Sequence, residues 1–136
     1  MRKLNKICLQ LALCLTLSTS VYAKKFPMTA ATIVPGARGD VEVGKDKNGN
    51  TKMKMTVQHL ARPDSLTPPK TIYIVWLQER NGTPESQGQL KVDKNLKASF
   101  ETVTPSRNFD LFVTAEQDST GKAPSGPEVL RASIQR

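Results

Sequence analysis

Beyond its first two dozen residues the chain has no cysteine, since its only two, Cys8 and Cys14, fall near the N-terminus. It has a single histidine, His59, and a single tryptophan, Trp76. No run of ten residues after the N-terminal stretch repeats its apolar positions at helical spacing. Each shortage excludes something. Without cysteine, the body of the chain forms no disulfide, no thiolate nucleophile and no zinc–thiolate cluster. With one imidazole, a metal site would have to be completed by carboxylates. No cofactor motif is present, so no cofactor is expected.

The N-terminus has the three-part pattern of an export signal. Arg2, Lys3 and Lys6 form a basic start, and Ile7 to Leu17 is apolar apart from Gln10 and Thr16. Val21-Tyr22-Ala23 then places small residues where signal peptidase reads them, before Lys24. The apolar run is shorter than the roughly twenty residues that span a bilayer. Leu11-Ala12-Leu13-Cys14 loosely resembles a lipidation box, but bulky Leu13 stands where a small residue is needed. The expectation is a signal peptide over 1–23, one domain over 24–136, a secreted or periplasmic location, and no stable membrane insertion after cleavage. Loss of Arg2, Lys3 and Lys6 would lower the formal charge from +8 to +5. That charge favours solubility and anionic surfaces and says nothing about fold.

From Lys24 onward the pattern has period two. Thr51 to Gln58 alternates strictly, with Met53, Met55 and Val57 on one face and Lys52, Lys54, Thr56 and Gln58 on the other, which predicts a half-buried strand. Val41-Glu42-Val43 precedes it across Lys45 to Asn50, whose Asn48-Gly49 pair suits a hairpin turn. Thr71 to Leu77 is apolar on both faces, as in a strand at the centre of a core. Further strands are expected at Gly88–Val92, Ala98–Val103, Phe109–Ala115 and Val129–Ile134, with one more over Ala30–Val34. Seven or eight short strands with Pro- and Gly-bearing turns predict an all-β, immunoglobulin-like antiparallel sandwich of two sheets, with a small β-barrel as the alternative. Two longer loops, Ala61–Lys70 and Gln117–Glu128, either carry function or cross between sheets.

The chemical inventory is thin. His59, Asp64 and Ser65 supply the residue types of a hydrolytic triad, but nothing frames Ser65 as a nucleophile on a strained turn. Asp46, Asn48 and Asn50 open like a calcium loop, yet the twelfth position is Val57 rather than Glu. Glu79 with Glu85, and Glu116 with Asp118, read as solvated loop charges. Tyr73 and Trp76 differ by three along a strand, so they face opposite sides and read as core rather than as a stacking platform. Asn81-Gly82-Thr83 matches a glycosylation sequon. Lys45, Lys47, Lys52 and Lys54 concentrate positive charge on one hairpin and are the candidate binding residues. Without aromatics among them they do not suit nucleic acid. Their simpler role is to keep an exposed sheet edge from pairing with other chains.

Tyr73-Ile74-Val75-Trp76-Leu77, Gly88, Phe109 to Glu116, and Pro124-Ser125-Gly126-Pro127 before Val129-Leu130 together resemble the C-terminal extracytoplasmic domain of bacterial anti-sigma-K factors. The resemblance covers residues 71–134. It implies a β-sandwich outside the membrane, a bacterial source, and a sensory or interaction role without catalysis. The sigma-binding segment and its linking transmembrane helix have no counterpart in this sequence, so that activity is not carried over. The loop after Glu116 also departs from the family, reading Gln117-Asp118-Ser119-Thr120-Gly121-Lys122. The expected function is a secreted, non-catalytic binding or structural module of the cell envelope, whose partner is an envelope protein or a glycan. The alternatives are a hydrolase using His59 with nearby carboxylates, and a binder of anionic envelope polymers through the hairpin lysines.

Overall fold

The computed structural model describes residues 23–136, so the expected leader lies outside the described residues apart from Ala23. Among the described residues nine strands form two antiparallel sheets. They are β1 (Lys24–Pro27), β2 (Thr29–Ala30), β3 (Arg38–Lys45), β4 (Thr51–Gln58), β5 (Ile72–Glu79), β6 (Glu85–Leu90), β7 (Ala98–Thr104), β8 (Asn108–Glu116) and β9 (Glu128–Gln135). One sheet has the order β1-β3-β4-β7 and the other β2-β9-β8-β5-β6. If β3, β4 and β7 are lettered A, B and E, and β5, β6, β8 and β9 are C, C′, F and G, the connections are those of an immunoglobulin-like sandwich. The short β1 and β2 extend the two sheets beyond A and G, and neither sheet closes into a barrel.

Alternation builds the core. Val41 and Val43 on β3 and Met53, Met55 and Val57 on β4 point inward against Tyr73, Val75 and Leu77 of β5 and Leu111, Val113 and Ala115 of β8. The four-stranded sheet turns its other face, with Lys52, Lys54 and Gln58, to water. The N-terminal segment departs from expectation. Lys24–Pro27 pairs with β3, and after Met28 the chain changes sheets so that Thr29 and Ala30 pair with β9. The strand expected over Ala30–Val34 stops at Ala30, because Val34 N–H donates to Ala31 O and Ala37 N–H to Val34 O, which curl the chain into turns.

Two turns share one design. Asp46-Lys47-Asn48-Gly49-Asn50 joins β3 to β4, and Asp93-Lys94-Asn95-Leu96-Lys97 lies between β6 and β7. In each, the aspartate Oδ1 accepts two backbone N–H groups, from Asn48 and Asn50 at 2.8 and 2.9 Å and from Asn95 and Lys97 at 2.8 and 3.0 Å. Such side-chain bonds to the backbone are why Asp opens turns. They also occupy Asp46, the first residue of the calcium-like run. The fourth residue of each turn is left-handed, Gly49 at φ +80° and Leu96 at φ +59°. Glycine adopts that region freely, whereas a side chain there costs about 1–2 kcal/mol.

A stability prediction follows from this contrast. A Cβ at Gly49 would meet nothing within 4 Å, so Gly49→Ala tests the backbone alone and is expected to lose about 1 kcal/mol, net of the entropy glycine loses on folding. Leu96→Gly is expected to shift the urea midpoint the other way. Midpoints moving in the same direction would contradict the shared design.

Candidate functional site

The five-stranded sheet buries both faces. Its outer face carries Ile72, Ile74 and Trp76 from β5 and Phe112 from β8, and Trp76 is only 1% exposed. Trp76 is therefore buried as expected, but on the side of the sheet away from the inter-sheet core. The loop 117–127 lies over Ile74 and Trp76, enclosing a cavity of about 50 Å3. Arg131 covers Phe112, with its guanidinium 4.3 Å from the ring centre, and is paired to Asp110 at 2.7 Å and Glu128 at 2.6 Å.

A hydrogen-bonded chain holds this loop down. Trp76 Nε1 donates to Thr114 Oγ1 at 2.8 Å, and the Thr114 hydroxyl donates to Glu116 Oε1 at 2.6 Å. Glu116 Oε1 also accepts Ser125 N–H at 3.1 Å. Its Oε2 accepts the Ser125 hydroxyl at 2.6 Å and Gly126 N–H at 2.9 Å. Glu116 is thus a buried carboxylate, 4% exposed, and not the solvated loop charge that its pairing with Asp118 in sequence implied. Burial pushes its pKa up, but the bonds from Ser125, Thr114 and Gly126 outweigh that and hold the carboxyl below its ordinary value. Gly126 is required where it stands, because a Cβ there would lie 1.7 Å from Ala115 O. Both β-bulges of this sheet flank the same spot, between Val75 and Trp76 and between Val113 and Thr114. Bulges bend and re-aim strands in this way.

The four hairpin lysines do not converge. Lys52 and Lys54 point outward from the four-stranded sheet, with Lys54 directly opposite Glu42 and Glu101 on its neighbouring strands. Lys45 has the opposite parity and Lys47 sits in the turn. Their role as guards of an exposed edge is overturned, since β4 lies between β3 and β7 and the hairpin leaves no free edge on β4. The hairpin is tied instead to the C-terminus, where Arg136 donates to Gly49 O and Asn50 O.

His59 stands exposed after β4 with φ +55°. Asp64 and Ser65 lie on a short 3-10 turn, Pro63–Ser65, where the Ser65 hydroxyl donates to Arg62 O at 2.7 Å. No hydrogen bond joins His59, Asp64 and Ser65. Among the described residues no group of three or more His, Cys, Asp or Glu is placed to hold a metal. No helix there is long and apolar enough to cross a membrane.

A second feature, beside the β5–β6 pair at one end of the sandwich, was not singled out in the sequence. The loop 59–71 and the end of β6 border an open groove of about 570 Å3, with Arg62, Lys70 and Lys91 around it. The loop is fixed from beneath. Tyr73, buried in the core, donates its hydroxyl to Ala61 O at 2.6 Å, and burial pushes its pKa up to about 12, so it stays a donor. Lys70 N–H donates to Pro63 O at 2.9 Å. The Thr71 hydroxyl donates to Gln117 Oε1, and the Gln117 amide donates to Pro69 O, which joins this loop to the one covering Trp76. No protein-family model matches the chain, and no curated protein is similar enough to count as a relative.

The clamp generates a pH-linked prediction. Glu116→Gln places an amide N–H2 against donors and is expected to cost about 1–3 kcal/mol at pH 7. A lowered carboxylate pKa contributes stability that is complete above the ordinary value of 4.5 and fades as pH falls through the folded-state value. The stability gap between wild type and variant should therefore be constant from pH 7 to 5 and narrow below that, as the native carboxyl itself takes up a proton. Urea unfolding at a series of pH values, followed by emission of the sole tryptophan, measures it. A gap that is absent at pH 7 or that widens in acid would refute the clamp.

Proposed function

We propose that this chain is a secreted, non-catalytic binding module of the bacterial cell envelope, built like the extracytoplasmic sensor domain of anti-sigma-K factors. The observation that carries the reading is the clamp. Thr114 and Glu116 close β8, Pro124 to Pro127 precede β9, and these are two of the segments on which the resemblance rests. Here they close on each other through Glu116, Ser125 and Gly126. Segments that lie apart in the sequence and meet in the fold support the resemblance better than a run of core-forming residues would.

The interaction role is supported by how the loops are held. Every buried side-chain polar atom among the described residues has a hydrogen-bond partner, and the loops 59–71 and 117–127 are tied to the strands and to each other by Tyr73, Glu116 and Gln117. Rigid loops on a sandwich are a common basis for recognition, because little freedom is lost on binding. No sigma-factor activity is part of the proposal.

The test uses the full chain, expressed for export and purified from the periplasm. It is mixed with separated envelope fractions, namely peptidoglycan, soluble polysaccharide, lipid vesicles and envelope proteins. Saturable retention by one fraction, with Glu116→Gln retained less well, is the expected result. Retention by none of them would count against a binding role.

A further inference from the structure

We infer that the groove between the loop 59–71 and β6 is a binding site for an acidic polysaccharide, an inference that rests on the binding-module reading and names its ligand class. Arg62, Lys70 and Lys91 border the groove, and Asp64 is the one acid in its lining. The ion pairs found among the described residues involve Lys25 and Arg131 alone as cations, so all three groove cations lack an acidic partner there. Lys70 is half-buried as well. A lysine whose stem packs against the protein keeps its charged head in water with less freedom left to lose when an anion binds. The planar guanidinium of Arg62 can take a carboxylate through two parallel hydrogen bonds.

The remaining lining suits sugar. Half-buried Ile72 and Val92 give apolar surface on which the C–H face of a pyranose ring can lie, and the exposed Gln89 amide offers a donor and an acceptor for hydroxyls. The groove is open to solvent rather than enclosed, so a ligand longer than one sugar unit can enter it. The loop is already fixed by the Tyr73, Thr71 and Gln117 hydrogen bonds, which lowers the ordering cost of binding. The hairpin lysines provide a contrast within the same molecule. Lys54 faces two glutamates across the sheet, and Lys52 stands opposite Gly44 and Val103.

Polygalacturonate is the probe, with neutral dextran as its uncharged counterpart, and binding to the full exported chain is followed by titration calorimetry. Arg62→Gln/Lys70→Gln/Lys91→Gln removes three charges from the groove, and Lys47→Gln/Lys52→Gln/Lys54→Gln removes three from the hairpin. Emission of Trp76 in each variant reports whether the outer face is still packed. The expected result is binding to polygalacturonate and not to dextran, weakened by salt, at least tenfold weaker in the groove variant and within twofold of wild type in the hairpin variant. Equal losses in the two variants would show attraction by net charge alone and overturn the site. So would equal binding to dextran, no binding to polygalacturonate, or binding only to vesicles containing phosphatidylglycerol. Retention by a neutral envelope glycan or an envelope protein without any polyacid binding would remove the groove and leave the module reading intact. Failure with every fraction and every probe would remove both.

Discussion

A carboxylate taken out of water without partners costs several kcal/mol, and Glu116 sits 4% exposed at the end of a strand. Four donors converge on it, three of them from Ser125 and Gly126. That requirement shapes the surrounding chain. The loop leaving β8 must return within ten residues to bring two backbone N–H groups to one carboxylate, and it must approach so closely that only glycine fits against Ala115 O. In returning, it passes over Ile74 and Trp76 and seals the outer face of the sheet. Thr114 joins the two demands, because its hydroxyl accepts from the indole and donates to the carboxylate.

The two sheets solve the problem of their outer faces differently. On the four-stranded sheet the outer positions are mostly polar or charged, with Val103 exposed among them, and cross-strand pairs such as Glu42 with Lys54 stay in water. Opposite charges facing each other there contribute little to stability but prevent repulsion. On the five-stranded sheet the outer positions of β5 are Ile72, Ile74 and Trp76, which cannot be left wet without exposing a sizeable apolar patch. The loop 117–127 and an arginine over Phe112 complete the cover.

Much of this was legible in the sequence, and the boundary has a physical basis. Strict alternation over Thr51–Gln58 fixed which side of β4 is wet, because a strand has only two faces. The doubly apolar run of β5 announced burial on both faces, but not that a loop rather than a second sheet would supply the outer cover. Glu116 was misread because its partners stand nine and ten residues away, in a loop whose path depends on the strands it joins. A signal was present in Thr114-x-Glu116 followed by Ser125-Gly126-Pro127. The short β1 was missed since Lys24-Lys25-Phe26-Pro27 does not alternate and ends in proline; its pairing with β3 comes from its place at the sheet edge. The repeated Asp-Lys-Asn of the two turns could have been noticed, and it encodes the same hydrogen bonds twice. The groove could not, because Arg62 and Lys91 become neighbours only through tertiary structure.

The distribution of positive charge shows why residue counts alone mislead about binding. The hairpin holds four lysines within ten residues, and the groove holds three cations spread over thirty. On the hairpin, long side chains extend into water from a regular strand, so gathering them around one ligand would cost rotamer entropy for each. Around the groove, the backbone is held by a core tyrosine and by an inter-loop amide, and Lys70 is already half withdrawn from solvent. The second arrangement has met part of the ordering cost during folding. Stability of the clamp and the shape of the groove are thereby coupled through Gln117, the residue that follows Glu116 and bonds Pro69. Loosening the carboxylate would release not only the cover of Trp76 but also one wall support of the loop that carries Arg62 and Lys70.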